Sequence, residues 1–93
     1  MSNLVSIRVT VHGRVQGVFY RDFTLWHASE LGLRGYVRNQ PDGTVAVYAE
    51  GEKAKLEELV SHLKDGPPSS RVDKLDINWG DYGGDYPGFS VKR

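Results

Sequence analysis

Two glycines, Gly13 and Gly17, enclose Arg14-Val15-Gln16, and Val18-Phe19-Tyr20-Arg21 follows directly. Glycine adopts backbone conformations that other residues resist, so such a loop can turn successive N–H groups toward one small anion. If a helix begins where the loop ends, its unsatisfied first N–H groups and the positive end of its dipole serve the same anion. Arg21 then falls in the first helical turn and can add a planar fork of donors suited to phosphate oxygens. Spacing alone leaves a second reading open, in which the glycines merely turn the chain and Arg21 is an exposed arginine paired with Asp22 or with solvent.

Other residues invite chemistry less specifically. His12, His27 and His62 titrate near neutrality and could move protons, but they fall on a strand and two different helices and lack metal-ligand spacing, so surface or partly buried positions are expected. Arg14 could add positive potential or face solvent. Tyr82, Asp85 and Tyr86 lie in a glycine-rich stretch where tyrosines usually pack a loop onto a sheet, and Trp26 and Trp79 are expected to pack rather than to bind. Cysteine is absent, which excludes a disulfide framework, a thiolate metal site and a cysteine nucleophile.

The elements that must hold the loop follow from periodicity. Leu4 to His12 alternates, with Val5, Ile7, Val9 and Val11 on one face, and predicts a half-buried strand. Arg21 to Leu31 predicts a helix with Tyr20, Thr24, Ala28 and Leu31 on one face, stopped by Gly32. Leu33–Arg38 and Thr44–Glu50 read as strands joined by the turn Gln40-Pro41-Asp42-Gly43, with Val45, Val47 and Ala49 inward. Glu52 to Lys64 carries Leu56, Leu59, Val60 and Leu63 on one stripe, a second amphipathic helix ended by Gly66-Pro67-Pro68. Arg71 to Trp79 predicts a further strand, Asp81 to Gly88 a loop, and Phe89 to Lys92 a short strand at an edge. This order, βαββαβ with an optional last strand, predicts an α+β sandwich: a four-stranded antiparallel sheet with two helices on one face.

At 93 residues the chain has the size of one domain, taken as 1–93. Its 12 basic and 12 acidic residues cancel, so no overall field favours nucleic acid or an anionic membrane, and any bound anion must be held locally. No stretch could span a bilayer, and Met1 to Ser6 resembles no secretion signal, so a cytoplasmic setting is expected.

The string Gly13-Arg14-Val15-Gln16-Gly17-Val18-Phe19-Tyr20-Arg21 resembles the signature of the acylphosphatase family. A second family signature follows as Gly35-Tyr36-Val37-Arg38-Asn39, with Gly43, Val45 and Gly51 in register. Leu31-Gly32-Leu33, Ala49-Glu50-Gly51 and Ser70-Arg71-Val72 extend the resemblance along nearly the whole chain. It implies a ferredoxin-like α/β sandwich and the hydrolysis of acyl phosphates to a carboxylate and inorganic phosphate, without metal or cofactor. It assigns phosphate binding to Arg21 and to the backbone amides of Val15, Gln16, Gly17, Val18, Phe19 and Tyr20, and the positioning of the attacking water to Asn39. Read alone, Asn39 could equally hydrogen-bond the backbone of the turn that follows it. The implied partner is a small acyl phosphate, inorganic phosphate being product and competitive inhibitor, and a monomer is the simplest state.

Two alternatives share the fold. One is a domain that binds a phosphorylated ligand without turning it over. The other is a nucleic-acid binding module, which would need exposed aromatics on the central strands and a basic bias. Only Tyr48 among the outward residues of those strands is aromatic, beside Ser6, Arg8, Thr10 and Thr44.

Overall fold

A computed structural model describes residues 3–93. The order is β1 (Leu4–Arg14), α1 (Tyr20–Glu30), β2 (Arg34–Asn39), β3 (Val45–Glu52), α2 (Lys53–Asp65), β4 (Arg71–Asp81) and β5 (Phe89–Lys92). The strands form one sheet in the order β4-β1-β3-β2-β5. The first four run antiparallel, as the sequence predicts, but β5 pairs in parallel with β2, which makes the sheet mixed. Parallel neighbours need a long crossover, and here the chain leaves β4 at one edge and reaches β5 at the other.

The periodicities select the buried face. Ile7, Val9 and Val11 of β1 and Val45, Val47 and Ala49 of β3 meet Ala28 of α1 and Leu56, Leu59 and Leu63 of α2 in one core. Each fully buried aliphatic side chain of this size stabilises by about 1.5–3 kcal/mol. The C-terminus of α1 closes as expected at Gly32, whose φ of 69° lets its N–H reach Ser29 O at 3.1 Å while Leu33 N–H reaches Ala28 O at 2.9 Å. Gly35 permits a close crossing, since a Cβ there would lie 1.9 Å from Tyr48 O.

The opposite face departs from expectation. Tyr48 lies on that face as expected but is buried there, because the connection from β4 to β5 crosses it and sets Tyr86 against both Tyr36 and Tyr48, at centroid distances of 5.9 and 5.3 Å. Glu50 anchors this connection. Its carboxylate is 1% exposed and accepts from Tyr48 Oη at 2.8 Å, Gly83 N–H at 3.2 Å and Gly84 N–H at 3.1 Å. Burial alone would raise its pKa, but the hydrogen bonds from Tyr48, Gly84, Gly83 and Tyr86 outweigh it, and the net shift is downward.

Stabilisation by an acid with a lowered folded pKa is present above its ordinary value of 4.5 and disappears as pH falls through the folded value. Glu50→Gln should therefore cost about 2 kcal/mol in urea unfolding at pH 7, since an amide nitrogen then opposes N–H donors. The gap between variant and wild type should narrow as the pH is taken progressively below 4.5.

The tryptophans are not core residues: Trp26 is 62% and Trp79 46% exposed, the latter beneath the Lys53 ammonium at 5.9 Å. The predicted helix start moves by one residue, since Tyr20 opens α1. Gly13 and Arg14 belong to β1, where the register with β4 slips between His12 and Gly13.

Candidate active site

Between β1 and α1 the chain bends sharply over residues 15–19. Gly17 and Phe19 both have positive φ, 71° and 66°, with Val18 between them. Alternation of this kind turns consecutive N–H groups toward one concave side. The left-handed region costs a non-glycine residue about 1–2 kcal/mol, so the conformation of Phe19 must be imposed by the loop around it.

Contacts on three sides impose it. The side chains of Val15 and Val18 are buried in the core. Gln16 Nε2 donates to Gln40 O at 2.8 Å and Thr44 O at 2.9 Å, tying the loop to the β2–β3 turn, and Ser69 Oγ donates to Val18 O at 3.0 Å. At the base of α1, Tyr20 Oη donates to Leu63 O at 2.7 Å, and burial pushes its phenol well above the usual range. Yet among the described residues no protein group accepts from the N–H groups of residues 15–19, and no side chain caps α1. The loop is rigidly held with its donors free.

Beside the loop lies a cavity of about 320 Å³ lined by Val15, Gly17, Phe19, Tyr20, Arg21, Asp22, Asn39, Val91 and Arg93. The structure therefore brings Arg21 and Asn39, which are distant in sequence, to one pocket. Gln16 and Val18 do not line it, their side chains being directed to the hairpin turn and the core. Arg21 forms no ion pair with Asp22 among the described residues, whose two pairs are His12–Asp76 and Arg71–Asp73. Arg14 is exposed and lies outside the pocket.

Asn39 ends β2, and its Oδ1 is shielded from solvent with no hydrogen-bond partner among the described residues. Leaving a buried acceptor unpaired costs about 1–3 kcal/mol. The reading in which Asn39 serves only to bond the following turn finds no support, because Gln16, Gln40 and Asp42 serve that turn instead. Asp42 Oδ1 accepts from Thr44 N and Oγ1, which lowers the Asp42 pKa.

Val91 and Arg93 were not legible as pocket residues. Val91 lies in β5 and Arg93 directly follows that strand, whose parallel pairing Val37↔Val91 and Arg38↔Lys92 leads toward Asn39 at the end of β2. The one sequence signal was the short β-forming run Phe89–Lys92, which carries no information on pairing direction. Two guanidinium groups thus border the cavity, an arrangement that attracts a multiply charged anion.

None of the histidines lines it. His12 pairs with Asp76 at 2.8 Å, while His27 and His62 stack at 3.8 Å between α1 and α2, where burial, helped by the proximity of His62, lowers the His27 pKa. Tyr86 packs on the sheet as expected of it, and neither Tyr82 nor Asp85 reaches the pocket.

Known proteins share this sequence pattern and fold. A family model described as acylphosphatase matches residues 7–91. An acylphosphatase of Thermus thermophilus is 50% identical over 91 residues, covering 98% of this chain and 99% of that protein. Another, from Anaeromyxobacter sp. (strain Fw109-5), is 47% identical over 93 residues and 100% of each chain. Among solved structures, the acylphosphatase from Bacillus subtilis superposes with a TM-score of 0.93 at 34% identity, covering 96% of this chain and 99% of that one. An acylphosphatase from Coxiella burnetii gives 0.85 at 40% identity, with 97% and 94% covered. With the fold matched and the sequence matched over nearly the whole chain, the chain belongs to the acylphosphatase family.

Proposed function

We propose that this chain is a hydrolase that cleaves acyl phosphates to a carboxylate and inorganic phosphate, without a metal, in the pocket between the 15–19 loop, α1 and the ends of β2 and β5. The observation that carries the reading is that one cavity is lined by Arg21, by Asn39 and by residues of a loop whose N–H groups have no protein acceptor among the described residues.

The loop amides from Val15 to Tyr20 and the Arg21 guanidinium hold the phosphoryl oxygens. The Asn39 carboxamide hydrogen-bonds the attacking water once its side chain turns toward the bound substrate, and so directs a water lone pair toward phosphorus. A carboxamide is neutral and cannot act as a base, so it orients the nucleophile without deprotonating it. As the water oxygen bonds to phosphorus, the bond to the acyl oxygen breaks and its electron pair leaves with the carboxylate. The water proton passes to a phosphoryl oxygen or to solvent. Because a carboxylate leaves readily, positioning and charge stabilisation supply most of the catalysis.

A non-catalytic binding module is disfavoured by Asn39, which anion binding alone does not require. A nucleic-acid module is disfavoured by the burial of Tyr48 and the balanced charge. We further propose a monomer that acts in the cytoplasm as one domain. Its cysteine-free sequence asks nothing of an oxidising compartment.

Benzoyl phosphate incubated with the protein and an excess of chelator should be hydrolysed at an undiminished rate, with inorganic phosphate inhibiting competitively. Loss of activity in chelator that returns with added metal would contradict the mechanism, and noncompetitive inhibition would place phosphate outside this pocket.

A further inference from the structure

Phe19 is 76% exposed, lines the pocket, and stacks on no other aromatic ring among the described residues. Its backbone belongs to the anion loop, but nothing in phosphate binding calls for a phenyl ring there. The ring stands in water although the fold holds its backbone in the left-handed region, where glycine would sit without strain.

The pocket lining is drawn from two parts of the chain. Asn39 and Val91 come from β2 and β5 and Arg93 follows β5, whereas Phe19, Tyr20, Arg21 and Asp22 come from the loop and α1. Displacement at phosphorus places the attacking and leaving oxygens roughly in line. With the water held on the Asn39 side, the acyl group leaves away from that side. Val15 is buried, Tyr20 is committed to Leu63 O and Arg21 is assigned to the phosphoryl group, so Phe19 is the exposed apolar side chain of the loop that can meet the acyl group.

We propose that Phe19 is the acyl-side specificity residue of this pocket, its ring packing against aromatic acyl groups, so that aryl-carbonyl phosphates are preferred over small alkyl ones. The proposal rests on the hydrolytic reading above and narrows its substrate class. Asp22, at the same rim, adds a negative charge that suits an uncharged acyl group better than an anionic one.

The test is the ratio of kcat/KM for benzoyl phosphate to that for acetyl phosphate in wild type, Phe19→Gly and Phe19→Trp. Intrinsic leaving-group differences cancel when the ratio is compared between variants. An aromatic contact of this kind is worth a few-fold to ten-fold, so Phe19→Gly should lower the ratio by about three- to ten-fold and Phe19→Trp should restore it. Glycine suits the loop's left-handed backbone, and any general loosening of the cradle lowers both substrates together and leaves the ratio unchanged. An unchanged ratio in Phe19→Gly, or one that Phe19→Trp fails to restore, overturns the role of Phe19 while leaving the hydrolytic reading intact. Hydrolysis of neither substrate by wild type refutes the hydrolytic reading itself, and this proposal with it.

Discussion

Arg21→Ala is expected to lower kcat/KM for benzoyl phosphate by about a thousand-fold or more, the scale on which an arginine that neutralises a transferring phosphoryl group contributes. Both parameters should suffer, because the guanidinium contacts phosphoryl oxygens in the bound substrate and more strongly as charge redistributes. Weakened inhibition by inorganic phosphate should accompany the loss. Arg21→Lys separates charge from shape: an ammonium keeps the positive charge but presents no planar fork, so it should recover only a small part of the activity. Lysine restoring wild-type rates would mean that Arg21 supplies potential alone. Arg93 borders the same cavity and shares its potential, so the Arg21 variants should be compared at fixed ionic strength.

Asn39→Ala should fall mainly on kcat, by about a hundred-fold or more, because misplacing a nucleophile by an ångström can cost that much. KM and the inhibition constant for inorganic phosphate should stay within a few-fold, since the anion contacts of the loop and Arg21 remain. The substitution also removes a buried acceptor that has no protein partner, so unlike most buried polar deletions it should cost little folding stability. A variant that is folded, binds phosphate and scarcely turns over is the expected signature. A parallel rise in KM would instead place Asn39 among the anion contacts.

The two halves of the candidate site differed in how far the sequence revealed them. A turn before α1 was legible because glycine spacing before a helix is a local pattern, but spacing left its anion-binding role open and the family resemblance supplied it. The helix end at Gly32 and the amphipathic stripe of α2 were likewise legible as local patterns. That Arg21 and Asn39 share a pocket followed from family resemblance, not from spacing, because their meeting depends on the sheet order in which β2 lies beyond β3 from β1.

Non-local pairing hid the remainder. The Phe89–Lys92 run showed a short strand but not its parallel union with β2, which delivers Val91 and Arg93 to the cavity. Tyr48 read as an outward residue by alternation, correctly for the strand, yet the β4–β5 connection covers it, and no periodicity within β3 encodes that cover. The role of the Gln16 side chain was likewise invisible, since its acceptors, Gln40 O and Thr44 O, are brought near only by the hairpin. Trp26 and Trp79 failed in the other direction: residue type suggested packing, but their places on α1 and on the edge strand β4 leave them largely in solvent.

The central claim is that the pocket grips the phosphoryl group and aims water at phosphorus. Hydrolysis of benzoyl phosphate in water enriched in oxygen-18, with the products resolved by mass spectrometry, tests it most directly. Attack at phosphorus puts one labelled oxygen into inorganic phosphate and none into benzoate. Label in benzoate would show attack at the carbonyl carbon and contradict the account.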